Sequence, residues 1–157
     1  MIPTAAPQIS EGLINFLIAA KRVTYAGDGG GTDAVLPGSR QLEYRQGPYV
    51  YRDIYFGSDF FAGQEVVSYE ERPVWTMIYA GGMIATADTV AVYTILKTAL
   101  LRVKPERPYR GPAEYRQADW LYRDRSGGTP ERFDGEEEIW QDQMCVYRLK
   151  YAGGALV

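Results

Sequence analysis

The run EYRQGPYVYRD at residues 43–53 returns as EYRQADWLYRD at residues 114–124, with seven of eleven positions identical at an offset of 71. Self-similarity of this kind constrains the fold before propensity does, because each copy has to build the same supersecondary unit. After a one-residue insertion the offset becomes 72, and Phe61, Gly63, Glu65, Val74, Tyr79 and Gly81 recur as Phe133, Gly135, Glu137, Val146, Tyr151 and Gly153. A unit of about 70 residues is marginal alone. The two copies, near 9–84 and 85–157, are therefore expected to share one core in a single domain.

Each copy reads as a helix followed by strands. Ser10 is a natural N-cap for a helix over 11–22 that puts Leu13, Ile14, Leu17 and Ile18 on one face and Lys21 and Arg22 in its last turn. The glycine-rich segment at 25–39 is too polar for a core element; it reads as a connecting loop, with a phosphate cradle of backbone amides as the functional alternative. A period of two then gives strands at 41–45, 49–56, 64–69 and 74–79. A second helix over 89–103 is capped by Asp88, carries Val92, Leu96, Ala99, Leu100 and Val103 as a stripe, and is stopped by Pro105 and Pro108. Further strands are expected at 114–116, 120–125, 136–140 and 146–151. The fold class is thus α+β: two pseudo-symmetric repeats, each a helix followed by a three- or four-stranded antiparallel meander. Whether the strands make one sheet or two stays open.

Alternation lets the two copies vote on which side chains point inward. Tyr49, Tyr51, Asp53 and Tyr55 share a face, matched by Trp120, Tyr122 and Asp124. Glu65, Val67 and Tyr69 are matched by Glu137 and Ile139, while Trp75, Met77 and Tyr79 are matched by Tyr147, Leu149 and Tyr151. The inward face is aromatic, with acids embedded in each half. Burial raises a carboxyl pKa and phenol hydrogen bonds lower it, so Asp53, Glu65, Asp124 and Glu137 are candidates for proton transfer or ligand contacts. The competing reading is structural: the acids accept hydrogen bonds and hold the sheet together.

Other features carry less. PYRGP at 108–112 reads as a helix-to-strand connector, or as a rigid loop offering Tyr109 and Arg110 to an anion; Glu136 and Glu138 read as solvated, and Cys145 as a buried structural thiol. With one cysteine and no histidine, an internal disulfide, thiolate zinc sites and the common histidine-based triads are excluded. No cofactor and no metal is expected. The formal charge of −3 argues against nucleic acid as a partner. The N-terminal MIPTAAPQIS has no basic leader pattern, and the most apolar window, 89–103, is too short to span a bilayer. No membrane association and a cytoplasmic location are expected.

The runs YAGDGG at 25–30, PGS at 37–39, YVYRDIYFGSDFFAGQE at 49–65, PVWTMIYAGG at 73–82 and PYRGP at 108–112 resemble family 5680 of the domains of unknown function. Such domains are bacterial and occur alone or behind a helix-turn-helix segment, and this chain is expected to be of the stand-alone form. A domain fused to a DNA-binding module is often its sensor, so the resemblance implies ligand recognition.

The expected function is binding or sensing of a small molecule in an aromatic, carboxylate-containing pocket between sheet and helices. Its lining would be Tyr51, Asp53, Tyr55, Glu65, Trp75, Tyr79, Tyr122, Glu137 and Tyr147. One alternative is a cofactor-independent isomerase, cyclase or lyase with Asp53 or Glu65 as base and a tyrosine as acid. Another is a protein interaction module that uses a sheet face or edge, for example as a homodimer, with Trp75 and Tyr147 on the contact surface.

Overall fold

The computed structural model describes residues 9–156; most of the N-terminal stretch considered for a leader pattern lies outside them. The elements run α1 (Glu11–Val23), β1 (Gly31–Thr32), β2 (Arg40–Gln46), β3 (Tyr49–Gly57), β4 (Phe60–Tyr69), β5 (Arg72–Met83), α2 (Thr89–Leu100), β6 (Glu114–Gln117), β7 (Trp120–Thr129), β8 (Arg132–Gln141) and β9 (Met144–Ala155). Ser10 caps α1 by accepting from the Leu13 amide, and Asp88 caps α2 by accepting from the Ala91 amide.

The strands form one antiparallel nine-stranded sheet in the order β1-β2-β3-β4-β5-β9-β8-β7-β6. This corrects the expected α+β class of two helix-plus-meander repeats: the molecule is mostly β, with two minor helices laid on a single sheet. The physical reason is the seam. β5 and β9 pair continuously from Trp75↔Ala155 to Met83↔Tyr147, so edges that two separate meanders would expose become a hydrogen-bonded interior. Several boundaries move as well. β7 runs on through Ser126–Thr129, past the expected strand end at 125, and a short β1 lies in the glycine-rich segment.

One face of the sheet carries the core. Leu13, Phe16, Leu17 and Ala20 of α1 and Val92, Ile95, Leu96, Ala99 and Leu100 of α2 join Tyr51, Val67, Trp75, Met77, Tyr122, Ile139, Tyr147 and Leu149 in a single buried cluster. Helix α1 lies against β2 and β3, and α2 against β7 and β8. Trp75 stacks on Phe133, which stacks on Tyr109, so rings of both halves meet at the seam. Tyr69, expected inward, is 40% exposed.

Two glycines shape this face. Gly63 of β4 sits between Tyr55 of β3 and Tyr79 of β5, and a Cβ there would come within 2.5 Å of the Tyr79 hydroxyl. At the matching Gly135 of β8 a Cβ would stand 2.2 Å from the Tyr151 ring. Each glycine therefore leaves a slot through which a tyrosine from one neighbouring strand lies across β4 or β8. Gly135→Ala is expected to destabilise the protein by about 1–3 kcal/mol through overpacking, whereas Gly127→Ala, where a Cβ meets only an Asp134 oxygen at 3.6 Å, should change it by under ~0.5 kcal/mol. Chemical denaturation of both variants checks the difference.

Candidate functional site

The register sets carboxylates opposite one another. Asp53 pairs with Glu65 across β3 and β4, and Asp124 with Glu137 across β7 and β8. All four are at most 3% exposed. Like charges facing each other in a dry interior repel strongly, so each pair needs a cation, a proton or both.

The cations come from segments laid over the sheet. Lys21 falls one turn beyond Leu17 on the apolar stripe of α1, which turns it inward. Its Nζ donates to Glu65 Oε2 at 2.7 Å and to the Tyr109 carbonyl at 2.6 Å. Arg110, from the connector between α2 and β6, forks onto both oxygens of Glu137, with Nε 3.1 Å from Oε2. Both cations are buried, Lys21 at 6% and Arg110 at 3% exposure. Burial outweighs the pull of Glu65 and holds Lys21 below its ordinary pKa. Burial opposes the charge on Arg110 too, yet Glu137 and its neighbours hold it well above the usual range.

Tyrosines complete the network. Tyr122 and Tyr147 donate to Glu137 at 2.7 and 2.8 Å, and the Tyr122 oxygen accepts from the Gly111 amide at 2.9 Å. Through the glycine slots, Tyr79 reaches Asp53 at 2.6 Å and Tyr151 reaches Asp124 at 2.8 Å. Burial first, and the facing glutamate second, push Asp53 and Asp124 each up to about 7.

The two halves are not equivalent. Glu137 is saturated by Arg110, Tyr122 and Tyr147, and the second oxygen of Asp124 lies 3.4 Å from Arg107. In the first half Trp75 stands where Tyr147 stands in the second, and its indole donates instead to the Pro130 carbonyl. The Tyr51 hydroxyl is close enough to Glu65 to be raised by burial and then by that charge, yet neither it nor Asp53 Oδ2 has a hydrogen-bond partner of good geometry. Asp124 Oδ2 likewise lacks a hydrogen bond but has Arg107 at 3.4 Å, whereas no cation stands so placed beside Asp53.

Eight of the nine expected lining residues, all but Tyr55, are 4% exposed or less. They meet in the interior, with Trp75 and Tyr147 buried rather than on a contact surface. The cavity beside them, bounded by Lys21, Tyr25, Glu65, Tyr109 and Arg110, is about 10 Å³, room for a single water at most. Tyr55 instead lines an open cleft of about 290 Å³ with Tyr25, Arg40, Phe61, Thr89, Tyr93 and Lys97, at the β3–β4 turn under α2. Tyr25 belongs to both: it walls the cleft and closes the small cavity, with the Arg110 guanidinium 5.3 Å from its ring centre.

Sequence reasoning missed Lys21, Tyr25, Arg40, Tyr93 and Lys97 as members of a site, and Arg110, weighed there as a contact for an anion, is held by the protein's own Glu137. For Lys21 a signal existed, since it continues the Leu13–Leu17 spacing. Glu138, read as solvated, is nearly buried and accepts from the Trp140 indole and Arg148. Cys145 is half-buried, and its thiol faces the Tyr147 carbonyl. Among the described residues no group of three or more His, Cys, Asp or Glu stands where it could hold a metal ion, and no helix is long and apolar enough to cross a membrane.

The model of the family described as Domain of unknown function (DUF5680) matches residues 53–156, and the chain belongs to that family. The match begins at Asp53, so α1 with Lys21, the glycine-rich segment and the start of β3 precede it. No curated protein and no solved structure matches the chain.

Removing one partner of a buried ion pair strands the other. Lys21→Met alone is expected to cost about 3–5 kcal/mol, with much of it recovered in Lys21→Met/Glu65→Leu; denaturant melts of the double-mutant cycle measure this. Asp53 and Asp124 hold protons more tightly folded than unfolded, their pKa rising from 3.8 to about 7. Their favourable contribution is complete below the unfolded value and is lost as pH rises through the folded one, each carboxyl giving up about 1.4 kcal/mol for every pH step between those two values. The wild type should therefore lose stability between about pH 4 and 7 relative to Asp53→Asn/Asp124→Asn, whose dependence on pH should be flatter. Parallel melts at pH 4.5 and 7.5 decide it.

Proposed function

We propose that this member of the family binds a small molecule in the cleft between the β3–β4 turn and α2, and that occupancy is felt by the buried carboxylate network. The observation that carries the reading is the double position of Tyr25. A ligand in the cleft would touch one side of this ring, while the other side packs beside Arg110, Lys21 and Glu65. Tyr25, Tyr55, Phe61 and Tyr93 supply flat apolar walls, and about 290 Å³ is close to the lower end of ordinary ligand pockets. The buried acids then act as a rigid, proton-holding floor behind Tyr25 and not as direct ligand contacts.

A second reading is acid–base catalysis, with Asp53 as base and Tyr79 as acid. It is favoured by the Asp53 carboxyl, which has an unpartnered oxygen and a pKa pushed up to about 7. It requires the cover over the sheet to open, because Asp53 is only 1% exposed.

Thermal melts against a broad metabolite library test the first reading. A ligand at 100 times its dissociation constant is expected to stabilise by about 2.7 kcal/mol. Direct binding of a hit should be lost in Tyr55→Ala and retained in Asp53→Asn. Binding unaffected by Tyr55→Ala would sink the cleft. A hit that is consumed, with turnover abolished by Asp53→Asn, would move the assignment to catalysis.

A further inference from the structure

The cleft has a charge pattern of its own. Arg40 opens β2 and stands directly opposite Tyr55 in the β2–β3 register, so the two side chains project from the same face into the cleft. Lys97 approaches from α2 on the far side, already held by Asp28 of the glycine-rich segment. Asp59 is the single acid on the lining. Several arginines beside the sheet are matched: Arg45 and Arg52 with Glu43, Arg107 with Asp124, Arg110 with Glu137, and Arg148 with Glu136 and Glu138. Among the described residues Arg40 has no such carboxylate; Arg72, Arg125 and Arg132 on the strands share that, but of the four Arg40 alone lines the cleft. An arginine fork beside a tyrosine ring, at the mouth of an aromatic slot, matches a planar molecule that carries an anionic group.

Deepening the binding reading above, on which it rests, we infer that the ligand is a one- or two-ring aromatic acid. Its ring lies between Tyr55 and Tyr93, and its carboxylate or phosphate is held by Arg40. A volume of about 290 Å³ admits a substituted benzene or indole ring with its head group. Lys97 adds positive potential without being free to pair fully, because Asp28 already occupies it. The same anion would not reach Arg110, which is buried and spoken for by Glu137.

Three ring-matched probes test this by calorimetric titration at low ionic strength: 4-hydroxybenzoate, phenyl phosphate and the neutral 4-hydroxybenzyl alcohol. At least one acid should bind about tenfold or more tightly than the alcohol, as loss of a charge-assisted fork implies. Arg40→Gln should bring that acid down to the alcohol's affinity while leaving the alcohol unchanged. Arg40 is exposed, so the variant should melt like the wild type. Preference for benzoate or for phenyl phosphate tells which head group the site takes. Equal binding of acid and alcohol, still sensitive to Tyr55→Ala, would overturn the anion assignment and leave the cleft standing. Absence of binding by all three probes, or binding indifferent to Tyr55→Ala, would overturn both.

Discussion

Asp53 faces Glu65 and Asp124 faces Glu137 across neighbouring strands in the interior of the sheet's covered face, and most of the structure can be understood as the means of keeping them there. Four carboxylates cannot all ionise in a dry core beside two fully buried cations. Lys21 and Arg110 neutralise the glutamates, and burial leaves the aspartates holding protons up to about pH 7. Helix α1 and the connector after α2 are docked by these contacts as well as by packing, since Lys21 also donates to the Tyr109 carbonyl one residue before Arg110. The two covering segments are thereby tied to each other and to both halves of the sheet.

That arrangement depends on glycine as much as on charge. Tyr79 and Tyr151 reach the aspartates only because Gly63 and Gly135 leave the intervening strand bare. The hydroxyls satisfy one oxygen of each aspartate and fix the rings, and the rings fill the space that the glycines vacate. In the second half Glu137 is saturated and Arg107 lies near Asp124, whose second oxygen still accepts no hydrogen bond. Trp75 in place of a tyrosine leaves the first half looser around Asp53. The cleft opens beside that looser half, and Tyr25 stands between them.

Of the residues that sequence reasoning had assigned to a single pocket, Tyr55 lines the open cleft and the others lie buried. Alternation of aromatic and acidic residues identified the inward face correctly, but inward on a sheet covered by helices means packed and hydrogen-bonded, not accessible. An accessible aromatic surface arises where cover is incomplete: at the β3–β4 turn, under the first half of α2. Its residues come from four places in the chain, Tyr25, Arg40, Tyr55 to Phe61, and the face of α2 carrying Thr89, Tyr93 and Lys97, and no single period joins them.

Local patterns were enough to determine the two helices with their Ser10 and Asp88 caps, the strand faces carrying Tyr51, Asp53, Glu65, Tyr122 and Glu137, and the recurrence of these residues along the chain. Such features follow from spacing and from short-range hydrogen bonds, which a sequence displays directly. Tertiary structure alone decided that β5 and β9 join the strands into one sheet, that Lys21 and Arg110 turn inward, and that Arg40 meets α2 across an open cleft. Each of these is a contact between distant residues whose register is chosen by burying both halves at once, and no period in the chain records that choice.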